Sequence, residues 1–456
     1  MSLRWRPRRW PTHRSSVAVL VLAALFAAGG ALPARFASAA DSGPSFFSSE
    51  PDRTSGTSPS DDPRDAGRDK AGKVVALAEA GTKIFLGGYF SGVVPSGAGT
   101  KAARQDPTLV VHRPYLVAFD VNSGALLDWD AHPDGPVLSL ALSADGTKLY
   151  VGGMFSSIGG RRTPRLAAVD VETGAADPTF TPPTPNAYVR ALGLDGPTLF
   201  IGGAFTTLDT TNRPQLAAID ATSGALLTGW NPPPNTGGHF GGQTGKSTQG
   251  SDPGNVSDLK VAARGTVVVV GGNFMRFGGR SGLIALDART GRPTAWQPAL
   301  DQARPIYGTD VWPVDDRTIF VAAGGKGGAV EAFTIGSASK PLWVHKTDGD
   351  GTDVVATPQR VYFIGHFDYV LGSNTTCGQT SCTGGNPGDN LNRHIAAFDA
   401  TNGAQDLSFN AQFNTAQGPE VALIGARHLY VGGDFTRVNF VAHPGFAQFS
   451  PTSSGT

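Results

Sequence analysis

Each shortage in the 456-residue sequence removes a class of protein. There are two cysteines, Cys377 and Cys382, too few for an all-cysteine zinc site or a disulfide-built scaffold. Charged residues are only 16% and the formal net charge is zero, so neither nucleic acid nor an acidic membrane surface is implied as a partner. Long apolar helical stripes are absent beyond the N-terminus. There is no Gly-x-Ser-x-Gly, no His-Glu-x-x-His and no phosphate loop, which weighs against an enzyme and leaves the question open. Glycine is abundant instead, at 61 residues, with 33 prolines: the composition of a turn-rich all-β chain.

An arginine-rich start is followed by the apolar run SVAVLVLAALFAAGGAL and the small residues ASAA at 37–40. This is the layout of an export signal over 1–40, with cleavage expected near Ala39 or Ala40. The run is short for a membrane span, so no stable insertion is expected after cleavage. The Arg8-Arg9 pair lacks the usual twin-arginine surroundings, which favours the general secretory route without settling it. In an exported chain Cys377 and Cys382, in CGQTSC, read as a small disulfide staple. Residues 41–73 combine aromatics in SGPSFFSS with a Ser-, Pro- and Asp-rich stretch that reads as a flexible linker.

From about residue 74 the chain repeats. KLYVGGMF at 148–155 recurs as KIFLGGYF, TLFIGGAF, VVVVGGNF and HLYVGGDF. A following strand recurs as LAAVDVETGA, LVAFDVNSGA, LAAIDATSGA, LIALDARTGR and IAAFDATNGA. Aromatic-centred fourth strands fall near Trp129, Phe180, Trp230, Trp296, Trp343 and Phe409. Two units are degraded: TIFVAAGG lacks the glycine pair before its aromatic, and VYFIGHF has Ile364 at the first glycine. Units begin near 74, 137, 189, 256, 310, 353 and 421, and the last lacks a fourth strand. The expected fold is therefore an all-β, seven-bladed β-propeller of four-stranded antiparallel blades over 74–456. The mature N-terminal strand, within 42–49, is expected to close the ring.

The YVGGxF strand and the Asp-x-x-Thr-Gly turn resemble the delta-60 repeat propellers of secreted bacterial proteins. They are also similar to the repeats of fungal cortical marker proteins and, more loosely, to propellers with a YV strand. That resemblance implies the fold and carries no catalytic set. LAAIDATSGALLTGW also resembles the repeat of quinone-dependent dehydrogenase propellers, but no set of calcium ligands of that kind can be assembled here.

The repeat residues have structural readings. The glycine pair marks a close neighbour or a bulge. Phe90, Phe155, Phe205, Phe274, Phe367 and Phe435 fill space between blades. Asp120, Asp170, Asp220, Asp287 and Asp399 accept N–H bonds in a tight turn whose glycine takes positive φ. The connections are more telling. Loops between first and second strands, and between third and fourth, are all short. The long insertions, 91–114, 231–255 and 368–394, all belong to the opposite face. Loops on a rigid scaffold carry binding residues, so this is the expected working face.

Candidate ligand-binding residues are His239, His366 and His394 on that face, and Asp258, Asp310 and Trp312 on first strands lining the channel. Asp348, Asp350 and Asp353 in TDGDGTD form a candidate calcium site, although a late glutamate is missing and a plain turn explains them too. Calcium is thus the one cofactor left open, and none is required. The expected function is a secreted, monomeric binding module for an extracellular protein or glycan. The alternative is an extracellular polysaccharide hydrolase or lyase, or less readily a quinone-dependent dehydrogenase, with its site at the channel mouth of the same face.

Overall fold

The structure, a computed structural model, describes residues 46–58, 72–96, 99–235, 255–274, 276–300, 305–325, 327–337, 339–372, 390–414 and 418–452. Seven antiparallel sheets follow one another. Their innermost strands are Lys73–Ala80, Val137–Leu142, Val189–Asp195, Asn255–Ala262, Ile306–Val311, Gly351–Ala356 and Pro419–Ile424. Each packs against the next, and the seventh packs back on the first, so the blades close a ring. Seven hydrophobic clusters fill the seven blade interfaces.

The glycine pair has two separate jobs. The first glycine is a hole for the next blade. A Cβ on Gly87 would lie 2.6 Å from a Val137 methyl, one on Gly202 2.5 Å from Val256, one on Gly271 2.8 Å from Ile306, and one on Gly432 2.5 Å from Val74. In each of these a β-branched side chain at or next to the start of the following inner strand fills that hole. The second glycine instead lies against its own blade, over the carbonyl of Lys73, Pro136, Tyr188, Asn255, Asp350 or Gly418. In the degraded units the partners change together. Ala322 and Ile364 stand at the first-glycine position, and the next inner strands offer Gly351 and Pro419 there instead of valine. The valine knob is gone from both interfaces, and the space at Gly351 is taken by the Phe363 ring of its own blade.

Two sequence expectations need correction. The fourth strand is much reduced. Paired fourth strands occur in blades 5 and 6, Trp343–Lys346 and Gln405–Asp406. In blades 1 to 4 the third strand meets it by one bridge each, Phe119–Leu126, Val169–Ala176, Ile219–Leu226 and Leu286–Pro293. In blades 2 to 4 prolines at 178, 182, 183, 232, 233, 234 and 293 account for this, since they lack the N–H a ladder needs. The segment 51–58, which reads as flexible linker, is a buried strap. Thr57 is fully buried and donates through its backbone N–H to Pro444 O, while Ser55 donates to Gly124 O and Ser58 to Gly92 O. Small polar residues read as linker because they bring no apolar pattern; here their backbone groups find partners on blades 7 and 1.

Upstream, Phe47 bridges Pro451, Ser48 N–H donates to Ser450 O and Thr452 N–H to Phe46 O. Phe47 is packed edge-on against Tyr362, so the expected closing segment does lie on the last blade. Loop 91–114 contains a short helix, Thr100–Gln105, and a 3-10 turn, Pro107–Leu109, where no helix was expected.

The knob-and-hole pairing is testable by a double-mutant cycle in denaturant. Gly202→Ala should cost about 2 kcal/mol by overpacking, and Val256→Gly should cost at least as much by leaving a cavity. Combined, they reproduce the Ala322–Gly351 arrangement and should cost clearly less than the sum. Strict additivity would show that the two positions do not pack on each other.

Candidate ligand site at the channel mouth

Every inner strand bulges near its start; the register slips between Val74 and Ala76, Val137 and Ser139, and at the equivalent place in the other five. A bulge re-aims a side chain. The extra residues are Val75, Leu138, Arg190, Ser257, Tyr307, Thr352 and Glu420, the least alike position of the inner strand. A second variable position follows the glycine pair: Tyr89, Met154, Ala204, Asn273, Gly324, His366 and Asp434. Both lie at the end of the inner strands where the long loops emerge.

Several of these groups converge. Arg190, on blade 3, is exposed, and its charge reaches the phenols of Tyr89 on blade 1 and Tyr307 on blade 5. Glu420, on blade 7, is felt by both tyrosines as well. Burial pushes both phenols up, Tyr307 to about 12. Groups on blades 1, 3, 5 and 7 sense one another only around the axis. Glu420 itself pairs with Lys73, and its Oε1 lies 3.4 Å from His366 Nε2. Burial opposes its charge, but Lys73 and His366 prevail and hold its carboxyl down at about 2. Asn255 Nδ2 donates to Tyr188 Oη at 3.3 Å, and Tyr89 Oη lies 3.6 Å from Met154 Sδ. The Tyr307 ring rests on Gly324, where a Cβ would strike it.

Deeper in the channel two walls differ. Blades 2 and 3 present Leu140, Leu142, Leu192 and Leu194, partly exposed. Blades 4 to 6 present Asp258, Lys260, Asp310 and Asp353. The carboxylates staple neighbouring inner strands: Asp258 Oδ2 accepts from Thr309 N at 2.8 Å, Asp310 Oδ2 from Ala356 N at 2.8 Å, and Asp353 Oδ2 from Ala422 N at 2.9 Å. All three carboxylates hold Lys260 above its ordinary range. Burial, then the charge of Asp258, pushes Asp353 up to about 7; burial raises Asp310 against the pull of Lys260.

The residues singled out from sequence are thus redistributed. Asp258, Asp310 and Asp353 come together, around a Lys260 that sequence reasoning missed. Trp312 lies outside the channel: it packs on the blade 5–6 core and donates from Nε1 to Pro358 O at 3.1 Å. His366 is at the mouth. His394 is buried with φ of 72°, at the entry to a third strand where Tyr115, Arg165 and Gln215 also have positive φ. Its Nδ1 lies 3.0 Å from Gly365 O, so it is a packing residue.

Asp348, Asp350 and Asp353 point to three places. Asp348 accepts from Asp368 N and Tyr369 N, the same cap made by Asp134, Asn186 and Asn414 in other blades. Asp350 accepts from Gly325 N of the preceding blade. Among the described residues no His, Cys, Asp or Glu cluster is suited to a metal ion. His239, Cys377 and Cys382 lie outside the described residues, as do most of loops 231–255 and 368–394. The missed residues, Arg190, Tyr307 and Glu420, had a signal: stacking the seven inner strands shows one column that does not repeat.

The same face exposes apolar side chains on second-to-third-strand hairpins of adjacent blades: Leu391, Phe440, Val441 and Val111. Phe440 is 83% exposed and has φ of 67°, in a two-residue turn where blades 2 and 4 carry Gly159-Gly160 and Gly278-Gly279. A bulky residue there costs backbone strain. Asn439 pins the turn, donating to Ser49 O at 2.9 Å and accepting from Gln412 N at 2.9 Å.

Phe440→Gly should raise unfolding stability by about 0.5–1 kcal/mol, because glycine relieves the strain and little burial is lost; an unchanged or lower denaturation midpoint would contradict the strain. Asp353 gives a pH test. Its carboxyl binds a proton up to about pH 7 in the fold, against about 4 when unfolded, so its contribution to stability falls as pH rises through that window. Relative to the parent, Asp353→Asn should therefore become more favourable from pH 4 to pH 7, by roughly 2 kcal/mol after allowing for channel water. A pH-independent difference would show that the carboxyl titrates normally.

No protein-family model matches the chain, and no curated protein does. Solved structures do. One is a chain of a mitotic checkpoint complex, 11% identical with a TM-score of 0.52, covering 89% of this chain and 96% of that one. Another is the Dos1 propeller, 14% identical with a TM-score of 0.50, covering 88% and 95%. At such identities the likeness concerns the fold alone, and the fold they share with this chain is the β-propeller.

Proposed function

We propose that the protein is a secreted β-propeller binding module of the delta-60 repeat type. Its working surface is the face carrying loops 91–114, 231–255 and 368–394, and its partner is an extracellular protein or glycan. One observation carries this reading. In a repeat that conserves its packing residues blade after blade, the two variable columns, the long loops and the strained, exposed Phe440 all fall on one face. Strain retained on a rigid, exposed turn has no packing use and fits a contact residue. Propellers also occur in assemblies, as the checkpoint complex illustrates for its own chain. The export signal at 1–40 and a Cys377–Cys382 staple belong to the same reading, since both suit an oxidising exterior.

The alternative, a polysaccharide hydrolase or lyase, draws on Asp353, whose raised carboxyl suits a proton donor. Both its oxygens already accept backbone N–H bonds, from Val354 and Ala422, which fits a staple better than an acid. A glycan array and a polysaccharide-degradation screen on the purified chain separate the readings. Binding without turnover is expected, and it should be lost when 231–255 and 368–394 are replaced together by short turns. Binding that survives this replacement would remove the face from consideration; turnover abolished by Asp353→Asn would establish the enzyme instead.

A further inference from the structure

From the groups that meet at the axis we infer that the channel mouth is a saccharide subsite selective for an acidic sugar, a uronic acid residue held by Arg190 between Tyr89, Tyr188 and Tyr307. This deepens the binding-module reading and rests on it.

The chemistry follows from what is already neutralised and what is not. Glu420 is matched by Lys73 and His366. The channel carboxylates below are engaged by backbone N–H groups and by Lys260. Arg190 differs: it is exposed, it is the bulged residue of its inner strand, its charge is felt by Tyr89 and Tyr307 on other blades, and among the described residues it has no ion pair to a carboxylate. A guanidinium left free at a concave mouth suits a planar carboxylate, which it can grip through two parallel N–H bonds. The lining beside Arg190 is largely aromatic, while the charged groups Glu420, His366 and Asp434 stand on blades 6 and 7 and Asp350 reaches Tyr307. Tyr89 is 41% exposed and Met154 48%, while Tyr188 and Tyr307 are half-buried and held in place by Asn255 and by the flat seat at Gly324. Phenol rings offer a face for the C–H side of a pyranose and a hydroxyl for its rim. Below the mouth, the partly exposed leucines on blades 2 and 3 offer an anion no partner, and the acids on blades 4 to 6 are already engaged. One acidic ring at the mouth therefore fits better than a chain threaded through the axis.

The probe is trigalacturonic acid, titrated calorimetrically into the full chain, with its methyl ester as the uncharged match. The free acid should bind saturably and at least about 10-fold more tightly than the ester, the scale of one charge-assisted bidentate contact. Arg190→Ala should abolish that preference, and Arg190→Lys should restore it in part. Tyr307→Ala should weaken acid and ester alike. Val314→Ala, on the opposite face, should change nothing, and unchanged thermal midpoints confirm that each variant is folded. Equal affinity for acid and ester, or a preference that survives Arg190→Ala, would overturn the inference. If the uronide does not bind while another partner does so through the long loops, this inference falls alone. If no binding depends on this face, the broader reading falls with it.

Discussion

A single contact recurs around the ring and the rest of the architecture depends on it: a β-branched side chain of one inner strand enters the space left by a glycine in the preceding blade. Val137 on Gly87, Val256 on Gly202, Ile306 on Gly271 and Val74 on Gly432 are four instances, the last joining first blade to seventh. Packing at organic-crystal density leaves no slack at such a point, because one added methyl must displace a backbone or another side chain. This is why the eight-residue strand motif is repeated so closely. A ring closes only when successive blades sit at matching separations, and the glycine sets that separation.

Blades 5 and 6 show what happens when the contact is relaxed. With Ala322 and Ile364 in the holes and Gly351 and Pro419 opposite, those interfaces lose the valine knob. At these two interfaces the inner strands are joined by side chains, Asp310 to Ala356 and Asp353 to Ala422, with Thr352 Oγ1 donating to Pro419 O at 2.9 Å; Asp258 to Thr309 adds the same tie between blades 4 and 5, where the knob is kept. Neighbouring inner strands have no ladder between them, so a carboxylate that accepts an N–H across the gap supplies both a partner for a buried donor and a tie between blades. The carboxylates are crowded as a result, and Lys260 offsets part of their mutual repulsion. A charged wall in a channel thus has a structural origin, and its raised carboxyl at Asp353 is a consequence of burial and crowding rather than a sign of chemistry.

Sequence legibility follows the same division. The ring, its order and the turn aspartates could be read because they recur: Asp170 accepts from Glu172 N and Thr173 N as Asp220 does from Thr222 N and Ser223 N. The strap at 51–58 could not, since its backbone partners lie on two distant stretches of the chain, near Gly92 and Gly124 and near Pro444 and Gln448, and its side chains carry no pattern. His394 and Asp348 looked chemical because of residue type, yet each occupies a site that other blades fill with a different residue doing the same mechanical work. Trp312 looked like a channel residue because its strand was placed too late; the inner strand starts at Ile306 and ends before the tryptophan.

The site residues were hidden for the opposite reason. Arg190, Tyr307 and Glu420 belong to no motif, and only the bulge makes them neighbours. A bulge in a closed ring has a particular effect: it turns one side chain per blade toward the axis without disturbing the pairing on either side, since the register resumes one residue later. The packing contact and the bulge are adjacent in sequence, near the start of each inner strand. The first is β-branched in five blades and changes together with its partner in the other two, and the second is bound by no such pairing. Selection acting on a ligand therefore has positions around the ring that vary more freely than the packing residues beside them, although Leu138 and Ser257 are buried and Thr352 ties two blades. In blades 1 and 2 they have stayed apolar, as Val75 and Leu138; in blades 3, 5 and 7 they have become Arg190, Tyr307 and Glu420. That asymmetry, imposed on a ring whose packing is nearly uniform, is the strongest physical reason to look for function at the mouth rather than along the channel.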